Sequence, residues 1–462
     1  MEHISETITR AAASNERKRL VPTVSAILGD GSILELVHDA GRMTTAFARW
    51  NAGTWSLVLE CELPDGRRFV PLSPRNNLVE HGVVKFASVP EEYGTDRELA
   101  EAVRAFIRRY VDLSPRFERV ATAYVLLSWI ADTFNELPYL RVRGEPGSGK
   151  TRFLLTVGSL CYKPIFASGA STVSPIFRIL DLVKGTLVFD ESDFRFSDEK
   201  AEMVKILNNG NVRGFSVLRT ETVPGSKEFN PRAYHVFGPK LLATRGFFDD
   251  AALESRFLTE EMESSGLRGD IPISLPREHD AEAQSLRNRL LLFRFRNFAK
   301  PRDLTANLDR SLEPRLAQIF APLLATVDDA ETIADLRDLA RASDREMASD
   351  RSSGVEADVL SILAEFWRRS TEPRTVSDVA NLLNARAAAS ERPVSTKRVG
   401  WLIRKRLRLT TLRSRAGYVV QAPDSETLER LSARYGITAS DAPPPASSPS
   451  SQRSPGEAPQ AV

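Results

Sequence analysis

Hydrophobic positions change their spacing several times along the chain, and each change marks an element or a boundary. Residues 21–90 alternate short apolar runs with the turn signals Gly29-Asp30-Gly31, Asn51-Ala52-Gly53 and Asp65-Gly66, which predicts brief strands and a small, mainly β N-terminal domain over 1–92. Its clearest piece is a hairpin about Asp65-Gly66, from Trp55 to Cys61 and from Arg68 to Leu72. From Thr95 the period turns helical, with Leu99, Val103, Phe106, Ile107 and Tyr110 at three- and four-residue steps. A second helix is expected from Phe117 to Phe134. Its apolar run, Val120 to Ala131, is shorter than the roughly 20 residues of a membrane span and contains Thr122, Tyr124 and Ser128, so it reads as a buried helix.

Tyr139 to Val142 is then a short apolar strand, and strands alternate with helices to about Leu258, which predicts an α/β fold over 93–275 with a parallel sheet covered by helices. Residues 276–342 read as helical and Arg-rich, 343–354 as a polar linker, and 355–422 as helices ending in a hairpin. Beyond Ala439 the chain is mainly Pro, Ser and Ala, too poor in large apolar residues to offset ordering entropy, so 439–462 is expected to be disordered.

Composition narrows the class. The 462 residues suggest roughly two to four domains, and 42% hydrophobic with 27% charged residues is a globular rather than fibrous or disordered balance. Lys and Arg number 63 against 61 Asp and Glu, so the molecule is no polycation and any affinity for nucleic acid must come from local clusters. Cys61 and Cys161 form no disulfide framework and no metal-ligand spacing with the histidines, which fits a reducing, cytoplasmic setting. The polar start, with Glu2, His3, Glu6 and Arg10, is not a secretory signal, and no segment suits a membrane.

The chemistry begins at Gly144-Glu145-Pro146-Gly147-Ser148-Gly149-Lys150-Thr151, a complete G-x-x-x-x-G-K-[ST] between a strand and an amphipathic helix. Glycines there let backbone N–H groups wrap a polyphosphate, Lys150 reaches the β- and γ-phosphates, and Thr151 coordinates Mg²⁺. The helix starting near Lys150 aims its positive end at the same group. ATP and Mg²⁺ are the expected cofactors. Gly185-Thr186-Leu187-Val188-Phe189-Asp190-Glu191 adds a buried strand ending in two carboxylates, Asp190 to help hold the metal and Glu191 to polarise the attacking water.

In this order, followed by the strand Lys240-Leu241-Leu242-Ala243-Thr244 and by Leu253-Glu254-Ser255-Arg256-Phe257, the chain resembles the AAA+ ATPases. The resemblance implies that Thr244 senses the γ-phosphate, with Arg245 able to share the task, and that Arg256 enters a neighbouring subunit's site as a finger. It implies a helical lid over 276–342, where Arg287 and Arg289 are candidates for a second sensing arginine, and a ring of identical subunits, a hexamer.

Arg213 to Arg219 and Phe229 to Phe237 flank Pro224-Gly225-Ser226-Lys227, which predicts a hairpin with a basic tip. Its position is similar to that of the pore hairpin in the helicase-like branch of the family, where Lys227, with Arg219 and Arg232 nearby, would touch single-stranded DNA. Within 355–422, Val376, Val379, Leu382 and Leu383 mark one helix, and Val399, Leu402, Ile403 and Leu407 mark a second that Ser395 caps. A hairpin about Arg415-Ala416-Gly417 follows, and the whole looks like a winged helix-turn-helix. Its second helix and wing carry Lys397, Arg398, Arg404, Lys405, Arg406, Arg408, Arg413 and Arg415 and no acid, a face suited to duplex DNA. Taken together, the chain resembles replicative or primase-associated helicases of phages, plasmids and integrated elements. An ATP-switched DNA-binding initiator or regulator, or a protein remodeller, would use the same parts.

Overall fold

The computed structural model describes residues 20–169, 171–190, 197–220, 231–248, 250–262, 268–305, 309–352, 354–369, 374–386, 393–415 and 417–437. The chain divides into two compact units, Met1–Ala340 and Arg341–Val462.

The first unit opens with seven strands: β1 (Leu20–Thr23), β2 (Ser25–Ile27), β3 (Ile33–Asp39), β4 (Thr44–Asn51), β5 (Thr54–Val58), β6 (Cys61–Glu62) and β7 (Arg68–Pro71). They form two sheets, ordered β2-β3-β4-β5 and β1-β7-β6. The predicted hairpin is therefore corrected. Its first arm splits, because Thr54–Val58 pairs with β4, and only Cys61–Glu62 turns back on β7, through a Leu63 to Arg67 backbone bond of 2.8 Å. The strands also do not stand apart as a module. Glu35 of β3 is buried against Tyr162, Lys163 and Arg294, so this sheet and the following α/β layer share one interior.

Two helices lead into the central sheet. Thr95 and Glu98 close a capping box on Asp96–Tyr110, whose Leu99, Val103, Phe106, Ile107 and Tyr110 are all buried, and Ser114 with Pro115 starts Pro115–Trp129. The sheet comprises β8 (Tyr139–Arg143), β9 (Ile165–Ser168), β10 (Leu187–Asp190), β13 (Lys240–Thr244) and β14 (Phe257–Glu261), with β11 (Ser216–Arg219) and β12 (Arg232–His235) as a separate antiparallel pair. Its order is β14-β8-β13-β10-β9 and every pairing is parallel, as the alternating pattern predicts. Parallel strands buried on both faces explain the unbroken apolar runs Leu187-Val188-Phe189 and Leu241-Leu242-Ala243.

The segment expected as a lid begins with a core helix. Glu278–Asn297 buries residues around its whole circumference, among them Leu286, Arg287, Leu290, Phe293 and Arg294, and packs on Asp96–Tyr110 and Lys150–Leu160. The expected linker over 343–354 is also corrected, since helix Ala330–Ser352 runs through most of it. Its Ala, Arg, Glu and Met residues are good helix formers even without a strong apolar stripe. Among the described residues no helix is long and apolar enough to cross a membrane.

The second unit follows the order helix Val355–Arg369, β15 (Arg374–Thr375), helix Val376–Arg386, helix Thr396–Trp401 continued by a π turn at Leu402–Arg406, β16 (Thr411–Ser414), β17 (Gly417–Val420) and helix Ser425–Tyr435. The three strands form an antiparallel sheet in the order β15-β17-β16. Val379, Leu383, Val399, Leu402, Ile403 and Leu407 meet in its core, and Ser395 accepts from the Arg398 N–H at 3.3 Å as the expected N-cap.

Candidate nucleotide site

Gly144 leaves the carboxyl end of β8, and Lys150–Leu160 starts after Gly149 in the left-handed conformation, φ 93. Gly147 takes φ 86 with open space where a Cβ would stand, so the loop exposes bare backbone there. A Cβ on Gly144 would collide with the Met262 carbonyl and lie 2.7 Å from Ser148 Oγ, so this glycine is required by packing. Lys150 is only 7% exposed, and its Nζ donates to the Gly144 and Glu145 carbonyls at 2.6 and 2.7 Å. Burial lowers the Lys150 ammonium from its ordinary range, Asp190 pulls it back up, and Arg245 lowers it again. The hydroxyl of Ser148 is buried without a hydrogen-bond partner, a polar atom turned into the loop.

Thr151 Oγ1 donates to Asp190 Oδ2 at 3.0 Å, and Thr151 is exposed. A hydroxyl and a carboxylate at this separation, beside an open glycine loop and a lysine, are the oxygen donors that a phosphate-bound magnesium ion takes. The donor set fits. Register explains the convergence: Arg143 pairs with Thr244, and Asp190 with Ala243, so β8, β13 and β10 all end on the same edge of the sheet. Glu191 lies outside the described residues, as does Lys227.

Thr244 ends β13 as expected, but it is fully buried and its hydroxyl donates to the Gly246 carbonyl at 3.1 Å. Arg245 beside it is exposed. Arg256 stands at the other end of the sheet, its carbonyl accepting from the Tyr139 N–H at 2.8 Å. Five residues of strand at about 3.3 Å each separate Tyr139 from the loop, so Arg256 is beyond reach of its own chain's site. It is 9% exposed, its guanidinium donates to Asn208 Oδ1, and burial lowers its pKa. Arg287 is no free sensor: Nη1 donates to the Ser159 carbonyl at 2.9 Å and Nε to that of Phe86 at 3.3 Å, and burial pushes its pKa down to about 10. Arg289 is half-buried.

Sequence reasoning missed Arg141. It is 2% exposed in mid-β8 and grips Glu254 through two bonds of 2.8 and 2.5 Å, fixing the short helix that precedes Arg256. A charged residue inside an otherwise apolar strand was the available signal. The β11–β12 pair confirms two arms about the Lys227 segment, with Ser216 opposite His235 and Arg219 opposite Arg232. Both arginines form ion pairs within the chain, Arg219 with Glu202 and Arg232 with Asp181 at 3.7 Å, and both keep 40% or more of their side-chain surface exposed. In the second unit Lys397, Arg398, Arg404, Lys405, Arg406, Arg408, Arg413 and Arg415 are all exposed, and Arg406 pairs with Glu356 at 3.2 Å.

No family model and no curated protein matches the chain. Among solved structures it is similar to the NrS-1 C-terminal region, at 9% identity and TM-score 0.33 over 84% of this chain and 96% of that one. It is similar also to a full-length MCM homolog from Methanopyrus kandleri, at 13% identity and TM-score 0.35 over 68% and 73%, and to the Aeropyrum pernix ORC1 protein in complex with DNA, at 14% and 0.22 over 73% and 96%.

Proposed function

We propose that the chain is an AAA+-type ATPase that couples ATP hydrolysis to movement on, or unwinding of, DNA in replication of a mobile element, phage or plasmid. The observation that carries it is the 3.0 Å contact between Thr151 and Asp190 beside the Lys150 loop, because two sequence motifs far apart in the chain meet where one metal would need both. Backbone N–H groups of 147–151 and the Lys150 ammonium would hold the phosphates, and Thr151 with Asp190 would hold Mg²⁺. When bound, that ion neutralises charge developing on the transferred phosphoryl group. Glu191 would take the proton of the attacking water, and Arg245, exposed next to buried Thr244, would follow the γ-phosphate. Arg256 would act in trans in a hexamer after leaving Asn208.

DNA is the proposed partner at two places: single-stranded at the Lys227 hairpin, and along Lys397, Arg398, Arg404, Lys405, Arg413 and Arg415 of a winged helix. The test is magnesium-dependent ATPase activity with and without single-stranded DNA, followed by strand displacement on a forked duplex. Turnover that DNA stimulates and that Lys150→Ala abolishes supports the motor. ATP-dependent DNA binding without displacement would turn the reading to a switched initiator. Absence of magnesium-dependent nucleotide binding would end both.

A further inference from the structure

The basic face of the second unit carries two large rings that charge alone does not require. Trp401 is 46% exposed at the end of Thr396–Trp401, and Tyr418 is 51% exposed on β17. Arg398 lies 5.6 Å from the Trp401 ring centre and Arg404 lies 5.5 Å from that of Tyr418, while Arg413 stands directly opposite Tyr418 across the β16–β17 ladder. The helix carrying this row ends in a π turn. The Leu407 N–H bonds to the Leu402 carbonyl at 3.0 Å, one residue further than in an α-helix, and Arg404, Lys405 and Arg406 are exposed between buried Ile403 and Leu407, which lie four residues apart on the inner face.

Guanidinium and ammonium groups suffice to hold duplex phosphates, and paired bases inside a duplex offer no face to a ring. A half-exposed indole and phenol, each beside an arginine on one side, present a face on which an unpaired base or a terminal base pair can stack, and stacking there adds to the ionic attraction. We infer that this face binds the junction between duplex and single-stranded DNA, with lysines and arginines on the phosphates and Trp401 and Tyr418 stacking on bases at the opening. The inference rests on the DNA-binding role proposed for this face and replaces a simple duplex contact with a fork.

The test uses the full-length protein without nucleotide, titrated over a salt series against a forked duplex and a fully paired duplex of equal length. Trp401→Ala and Tyr418→Ala should each weaken fork binding about fivefold or more, leave duplex binding and the salt slope unchanged, and Trp401→Phe should restore most of the loss. Arg404→Ala should weaken both substrates and flatten the slope. Equal affinity of the wild type for the two DNAs, equal losses on both in Trp401→Ala, or no loss on the fork would each overturn the junction while leaving the basic DNA face standing. A wild type that binds neither DNA removes that face as well.

Discussion

The hydroxyl of Thr151 reaches Asp190 Oδ2 at 3.0 Å, tying the first turn of the helix after the glycine loop to the end of β10. β13 lies between β8 and β10, so this contact spans a neighbouring strand and depends on the whole sheet being in register. Asp190→Asn preserves shape and hydrogen-bonding capacity but removes the charge. Turnover should fall on the order of 10²-fold, with stability changed by no more than about 0.5 kcal/mol. Magnesium-titrated ATPase assays beside thermal melts check both; retained magnesium response in the Asn variant would dismiss the proposed metal role.

Arg294 makes the strongest structural prediction. It is 2% exposed and binds Glu35 at 2.8 Å and both oxygens of Asp132 at 2.7 and 2.6 Å, while Lys163 meets the other Glu35 oxygen at 3.0 Å. Truncation leaves two carboxylates beneath the N-terminal sheet with their main counter-charge gone. Arg294→Ala should destabilise the first unit by about 3–5 kcal/mol, whereas exposed Arg42→Ala should lie within about 0.5 kcal/mol of wild type. Denaturant unfolding measures the difference.

These two sites also mark how far the sequence was legible. The phosphate loop could be read because its residues are contiguous and its glycines have no substitute, and Asp190 because an apolar strand ending in acids follows it at the right place in an α/β alternation. Helices Asp96–Tyr110 and Val376–Arg386 were legible from apolar spacing. Glu35 and Arg294 were not, since they lie 259 residues apart and neither stands in a motif. The same blindness to long-range pairing made Arg287 look available, when backbone carbonyls elsewhere in the chain engage it and it is buried. Ala330–Ser352 was misread because polarity was taken for a linker where propensity made a helix.

Beside the phosphate loop, Thr244 and Arg245 divide two tasks. The buried Thr244 hydroxyl serves the Gly246 carbonyl, so Thr244→Val should cost about 1 kcal/mol of stability through that lost bond. Exposed Arg245 close to Lys150 should matter to turnover instead. Arg245→Ala should lower kcat about tenfold or more with an unchanged melting curve. A kcat unaffected by Arg245→Ala would return the sensing role to Thr244.

Lys240 supplies a pH signature from the opposite end of β13. Its Nζ is fully buried, donates to the carbonyls of Gly210, Val236 and Gly238 at 3.2, 2.8 and 3.0 Å, and has no carboxylate among these partners. Burial pushes its pKa down to about 7 from 10.5. Below about pH 7 the lysine is charged in both folded and unfolded chains, so folding bears the full cost of burying the ammonium. Between there and 10.5 the unfolded chain holds more protons than the folded one, and this residue's contribution to stability therefore rises with pH. Lys163, lowered to about 8 by burial against the opposing pull of Glu35, acts in the same direction over a narrower window. Chemical denaturation of wild type and Lys240→Met at pH 6, 7.5 and 9 separates the two. The Met variant should lose part of the upward slope and keep the Lys163 share, and parallel slopes in the two proteins would show that Lys240 stays protonated in the fold.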